Sequence, residues 1–342
     1  MTCCGARAGG DASPVPDDPS GQLAHPGADR GADAGADRGA NAGTDPGASA
    51  GAGPGADAGA GPAGPVNERK PIRSRTGRNL PLAAAIGAAL GGLALVTLFT
   101  VKATFLIYVG AVAVVALWEL RQALAGRGIS LPMIPIAAGG AAMFTLAYWY
   151  GAQPALAAMA VTVLVLMAWR LPGGAHHYLR DLSASVFTLA YLPMLGVFVP
   201  LMLSAPDGAR RTLIFVVLAI GSDIGGYFAG ILFGRHPMAP VISPKKTWEG
   251  LAGSVVLCLA AGAVMLPWLL HGQVWQGLIL GAAAAAAAVL GDLVESMIKR
   301  DLEIKDMGSV LPGHGGILDR LDSLLFVAPV AWLLLSVFVP SS

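Results

Sequence analysis

Two polar stretches in an otherwise apolar chain hold the side chains that could do chemistry. The first runs from Ser222 to Gly250 and reads SDIGGYFAGILFGRHPMAPVISPKKTWEG. Asp223 and Tyr227 are four apart and share a face if helical. Gly225, Gly226, Gly230 and Gly234 thin that helix and permit close backbone or ligand approach. Ser243, Lys245, Lys246 and Thr247 then stand before an apolar run. Two ammonium groups among hydroxyls beside a helix start suit phosphate oxygens. Taken alone, the same run reads as a basic membrane flank with a hydroxyl helix cap. Trp248 reads as an interfacial anchor.

The second stretch, Gly291 to Ser323, reads GDLVESMIKRDLEIKDMGSVLPGHGGILDRLDS. Asp292, Glu295 and Ser296 share a helical face, with Lys299 one turn on. Asp319 and Asp322 are three apart and also share a face if helical. Between them Pro312-Gly313-His314-Gly315-Gly316 can wrap backbone amides around an anion. His314 reads equally as a hydrogen-bond donor or as a turn residue. Carboxylates without Cys and with few His point to a hard cation such as Mg²⁺ held by oxygen. The neighbouring Lys and Arg point to phosphate. A metal site beside a phosphate cradle equips a protein for phosphoryl or nucleotidyl transfer.

The elements that position these groups must lie in a membrane. The 342 residues are 55% hydrophobic and 13% charged, with a net charge of +1. Soluble domains carry about 25% charged residues. Near-neutral charge argues against a nucleic-acid binder, which would show a basic stripe. Three cysteines (Cys3, Cys4 and Cys258) make neither a disulfide framework nor a four-ligand zinc site. About 20 apolar residues cross a bilayer. Nine spans are expected, near 81–100, 103–120, 131–150, 154–171, 183–204, 212–233, 250–270, 274–295 and 323–340; a continuous run through Lys102 would make eight. Pro193 in the fifth and the Ala-rich eighth suggest helix packing rather than lipid contact. The expected fold is an all-α polytopic membrane protein.

With nine spans and the N-terminus inside, the inner flanks hold sixteen Lys/Arg and the outer side only Lys102, Arg210 and Arg211. That asymmetry puts the N-terminus and both chemistry-bearing loops on the cytoplasmic side. Residues 1–66, almost all Ala, Gly, Asp, Pro and Ser, read as a disordered tail. Residues 67–79 read as a basic juxtamembrane segment. Nine acids and seven bases fall between Asp223 and Asp322, against three acids and seven bases in the rest of the membrane region. Ionisable groups clustered at a membrane are a functional signal. His176 and His177 lack companions and read as solvated.

Ser296-Met297-Ile298-Lys299-Arg300, then Lys305-Asp306, Gly308, Leu311-Pro312, His314-Gly315-Gly316-Ile317 and Asp319-Arg320-Leu321-Asp322 resemble the signature of the phosphatidate cytidylyltransferase family, the CDP-diacylglycerol synthases. Ser243 to Gly250 resembles a second segment of that family. The resemblance implies a transmembrane cytidylyltransferase domain over 80–342, with its signature region at 222–323, and a reaction of CTP with phosphatidate that gives CDP-diacylglycerol and pyrophosphate. It implies Mg²⁺ with a monovalent ion such as K⁺ beside it, and Asp292 and Asp319 as the carboxylate ligands. Asp223 is expected to meet metal-bound water or the nucleoside. Lys299, Arg300, Lys305 and Arg320 would bind triphosphate or lipid phosphate, and Ser243, Lys245, Lys246 and Thr247 would close the site. Asp306 and Asp322 would orient those bases. A homodimer is implied as well. The Lys-poor, Ala/Gly-rich composition suggests a GC-rich bacterial genome and hence the plasma membrane.

Two other readings use the same residues. A CTP-dependent polyprenol or dolichol-type kinase has a similar architecture, but the filled signature argues against it. A cation-coupled transporter would place its acids near the midplane in two matched halves. Here the acids gather at one interface.

Overall fold

The computed structural model describes residues 80–240, 242–308, 310 and 315–340. The expected tail at 1–66, the basic segment at 67–79, and His314 lie outside the described residues.

Ten α-helices follow in order among the described residues: α1 (Leu80–Thr100), α2 (Lys102–Ala125), α3 (Met133–Tyr150), α4 (Ala152–Arg170), α5 (Tyr178–Leu189), α6 (Phe198–Ser204), α7 (Gly208–Phe233), α8 (Trp248–Leu270), α9 (Val274–Asp301) and α10 (Leu318–Phe338). Eight helical segments have the length and composition to cross a membrane, counting α5 and α6 as one segment, Tyr178–Ser204. Ahead of them, Ala85–Thr100 of α1 forms a shorter apolar helix, where the first span was expected. The protein is a polytopic all-α membrane protein. Helices satisfy their own backbone groups, which a chain crossing hydrocarbon requires. Val101, extended at φ −131° and ψ 116°, separates α1 from α2.

Between α5 and α6 the chain takes a π-turn over Ala190–Met194 that contains Pro193. Proline has no N–H to continue the α-helical ladder, and a wider turn absorbs the loss. Tyr191, Leu192 and Pro193 are buried there, so this span packs inside the bundle as its proline suggested. The Ala-rich face of α9 is buried too, through Ala284, Ala285, Ala287 and Ala288.

Glycines set the contacts around the site. In α7 a β-carbon on Gly225 would stand 2.6 Å from the carbonyl oxygen of Gly253 in α8, and one on Gly226 would stand 2.7 Å from Ser254 Oγ. Backbone-to-backbone approach of this kind is how small residues join membrane helices. Gly225→Ala is therefore expected to force α7 from α8 and destabilise the fold by about 1–3 kcal/mol. Gly110→Ala, at a position with open space around the added carbon, should be neutral or stabilising. Thermal unfolding of the two variants in one detergent checks the contrast.

Charged groups sort to the two helix ends. At one end Lys102 Nζ donates to the carbonyls of Ala205 and Pro206. At that end too Arg211 pairs with Asp207 at 2.6 Å and donates to the carbonyls of Leu335 and Val339. At the other, Arg170 and Arg180 both pair with buried Asp181, and Arg127 pairs with Glu303 at 2.9 Å. The polar stretches of interest share this second, more basic end. The exposed loop residue His177 has its imidazole held below the usual histidine range, chiefly by the charge of Arg180 and also by His176.

The polar stretch 234–249 is no simple loop. Pro237–Ala239 (β1) and Ser243–Thr247 (β2) pair antiparallel, with Pro237 opposite Thr247 and Ala239 opposite Ser243. Glu249 closes the neck: its Oε2 accepts the backbone N–H groups of Arg235 and His236, and its Oε1 meets His236 Nδ1 at 2.6 Å.

Candidate active site

A cavity of about 420 Å³ opens where α7, α8, α9, α10 and the hairpin meet. Asp223 and Tyr227 reach it from α7, one turn apart as their spacing predicts. Asp292 comes from α9, and Asp319, Arg320 and Asp322 from the first turns of α10. Strand β2 brings Ser243, Lys245, Lys246 and Thr247 to the same walls. Four carboxylates on three helices thus face two ammonium groups and two hydroxyls across one space.

Ion pairs fix the arrangement. Lys246 of the hairpin pairs with Asp292. Lys299, one turn along α9 from Glu295, holds Glu295 Oε2 at 2.6 Å and Asp319 Oδ1 at 2.7 Å. Asp319 also accepts the backbone N–H of Gly316 at 2.7 Å and that of Met307 at 3.1 Å. Ser323 Oγ donates to Asp223 Oδ2 at 3.2 Å, tying α10 to α7. Thr247 Oγ1 accepts the N–H of Gly250, so this hydroxyl is the cap of α8 while it lines the cavity.

Residues 83–338 match the model of the cytidylyltransferase family. The chain belongs to that family. It is 40% identical to the phosphatidate cytidylyltransferase of Mycobacterium leprae over 279 residues, 77% of this chain and 89% of that one. The phosphatidate cytidylyltransferase of Mycobacterium bovis is 40% identical over 276 residues, 77% of this chain and 90% of its own. The Helicobacter pylori phosphatidate cytidylyltransferase is 40% identical over 154 residues, 45% of this chain and 55% of its own.

In this cytidylyltransferase the structure gathers nine of the expected site residues around the cavity: Asp223, Ser243, Lys245, Lys246, Thr247, Asp292, Asp319, Arg320 and Asp322. Others stand elsewhere. Lys299 acts from behind, on Asp319 and Glu295. Arg300 Nε donates to the carbonyl of Ile242, so it braces the hairpin against the end of α9. Lys305 and Asp306 are exposed on the segment after α9. Of the expected anion cradle at 312–316, only Gly315 and Gly316 are among the described residues, and the Gly316 amide is spent on Asp319. Asp322 was expected to orient a base. It lies instead against the carboxyls of Asp292 and Glu295, and its Oδ1 accepts the N–H of Ser323.

Two contributors were not singled out from sequence. Glu295 shares the face of Asp292 in the sequence without a task of its own there; in the structure it anchors Lys299. Glu119 of α2 lies outside both polar stretches. It is 1% exposed and accepts the N–H of Leu318 at 2.8 Å. The signal that could have found it is its isolation: it is the sole acid of an apolar span, and such a group needs a partner from elsewhere.

The cavity's carboxylates and hydroxyls offer hard oxygen atoms, and among the described residues no Cys or His lines it, which suits a hard cation. Among the described residues no three His, Cys, Asp or Glu side chains are drawn together around one ion position. Lys246 and Lys299 occupy the carboxylates of Asp292 and Asp319.

Proposed function

We propose that this cytidylyltransferase transfers the cytidylyl group of CTP to phosphatidate. A lipid phosphate oxygen attacks the α-phosphorus of CTP. The bond from that phosphorus to the bridging oxygen breaks, and pyrophosphate leaves with CDP-diacylglycerol as the other product. The nucleophile is already an anion, so no Ser or Cys need be activated. The observation that carries the reading is the facing of Asp292 and Asp319 against Lys245 and Lys246 in one cavity at the basic helix ends. The substrate class follows the names of the Mycobacterium relatives.

Each residue has a task in this reading. Lys245, Lys246 and Arg320 offset phosphate charge in a space partly shielded from water, where such charges act strongly. Ser243 and Thr247 line the hairpin wall, and Asp223 with Tyr227 lines the wall toward the nucleoside. Lys299, Met307 and Gly316 hold the Asp319 carboxylate in place. Mg²⁺ would be held by Asp292 and Asp319, with a monovalent ion such as K⁺ beside it, and would neutralise the triphosphate and the leaving group. The membrane is a bacterial plasma membrane, with the N-terminus and the site at its cytoplasmic face, where CTP is supplied. Phosphatidate presents its headgroup at the same depth. The working unit is a homodimer.

The test is incorporation of labelled CTP into lipid by purified protein in detergent, with phosphatidate, Mg²⁺ and K⁺. Labelled CDP-diacylglycerol is the expected product. Removing divalent ions with EDTA is expected to drop turnover to background, and added Mg²⁺ to restore it. No product from a folded chain across several phosphatidates would overturn the reading, and polyprenol would be the next acceptor tested.

A further inference from the structure

Glu119 ties the first half of the chain to the segment that carries Asp319. Its Oε2 accepts the N–H of Leu318, 199 residues away, at 2.8 Å. Its Oε1 is buried without a hydrogen-bond partner among the described residues. The carboxyl group also occupies the space beside two glycines. A β-carbon on Gly308 would have only Glu119 atoms as its nearest neighbours, and one on Gly316 would lie 2.6 Å from Oε2. Neither glycine has a positive φ. At Gly308 the missing side chain therefore reflects this carboxyl group, and at Gly316 it reflects Glu119 together with the Gly308 amide at 2.9 Å and Asp319 Oδ2 at 3.0 Å, rather than a backbone conformation reserved for glycine.

The opposite end of the same segment is held from α2 as well. Arg127, just past that helix, donates Nε to the carbonyl of Leu302 at 3.0 Å. The stretch from α9 to α10 is thus fastened at its entry by Arg127 and at its exit by Glu119. Between those points the amides of Met307 and Gly316 grip Asp319.

We infer that Glu119 is a positioning residue for cytidylyl transfer: by fixing Gly308, Gly316 and Leu318 it aims the Met307 and Gly316 amides at Asp319. The inference rests on the reading of Asp319 as part of the transfer site. What the geometry demands of residue 119 is an acceptor oxygen at the Leu318 amide and bulk beside the two glycines.

Glu119→Ala and Glu119→Gln in the full chain test this by hydrogen–deuterium exchange and by CTP-to-lipid kinetics. In Glu119→Ala, the amides of Met307, Gly316 and Leu318 should exchange at least tenfold faster while those of α3 and α8 keep their wild-type rates. Its kcat should fall tenfold or more, with KM for CTP within threefold. Glu119→Gln retains an acceptor and the bulk, and should recover most of both. Gly308→Ala should impair the wild-type background and add little to Glu119→Ala, because the atoms it collides with are gone. Unchanged exchange at Met307, Gly316 and Leu318 would overturn the inference. So would equal acceleration in α3 and α8, which would assign Glu119 to general packing, and so would a Gln variant as impaired as Ala. Wild-type chain that makes no CDP-diacylglycerol refutes the reaction, while the exchange measurements still decide the role of Glu119.

Discussion

Asp319→Asn is expected to lower turnover by about two to three orders of magnitude in a chain that still folds, at tenfold per 1.36 kcal/mol. The carboxylate receives Lys299 and the N–H groups of Met307 and Gly316, all donors. An amide matches the shape, but it loses the charge and turns an NH₂ toward one of those donors. Hydrogen bonds to an ionised partner are roughly twice as strong as neutral ones. Removing one partner of a buried pair costs about 3–5 kcal/mol, and the pair here is 16% and 9% exposed. Part of that loss will appear as stability, because Lys299 retains Glu295. Measuring kcat beside the unfolding temperature separates the two parts. Wild-type turnover in Asp319→Asn would remove this residue from the site.

Lys246→Met is expected to reduce kcat/KM for CTP by about a hundredfold, the low end for removing one positioned donor from a charge-stabilising site. Lys246 is borne on a short hairpin and pairs with Asp292 across the cavity. A paired variant tells a substrate-binding role from a simple clamp. Replacing both partners of an ion pair with apolar residues is often neutral or stabilising for a fold. If the pair only clamps hairpin to helix, Lys246→Met with Asp292→Leu should restore activity. If the two groups meet CTP, the double variant should stay folded and inactive. Kinetics and unfolding temperature on the three chains decide it.

The spans were legible because apolar length is dictated by the bilayer, and their outer boundaries fall within a few residues of the helices observed. The largest difference, six residues at the end of α9, lies at the site. Helix α9 continues through Asp301 and α10 begins at Leu318, whereas hydropathy alone ends the one at 295 and begins the other at 323. Those extra turns are polar, and hydropathy cannot see that Lys299 and Glu295 satisfy each other along a helix. The hairpin was hidden for a similar reason. Its strands have three and five residues, carry Pro237 and Lys245, and show no apolar alternation. The main acids and bases were legible from their clustering, but their partners were not. Which lysine meets which carboxylate depends on helix crossing, and Glu119 acts on residues far beyond any local pattern.

The bond from Glu119 to Leu318 also imposes an order on biogenesis. The two residues are 199 positions apart, a delay of about 10–40 s at 5–20 residues per second of synthesis. During that interval α2 enters the bilayer carrying a carboxyl group whose Oε2 lacks its final donor. A buried polar group left unmatched costs several kcal/mol in hydrocarbon. The early helices must therefore wait in a provisional arrangement, with Glu119 met by water or by lipid headgroups, until the last helix arrives. The bond to Leu318 can form only once α10 has been made, so a chain truncated before α10 would keep the Glu119 carboxyl group without its donor.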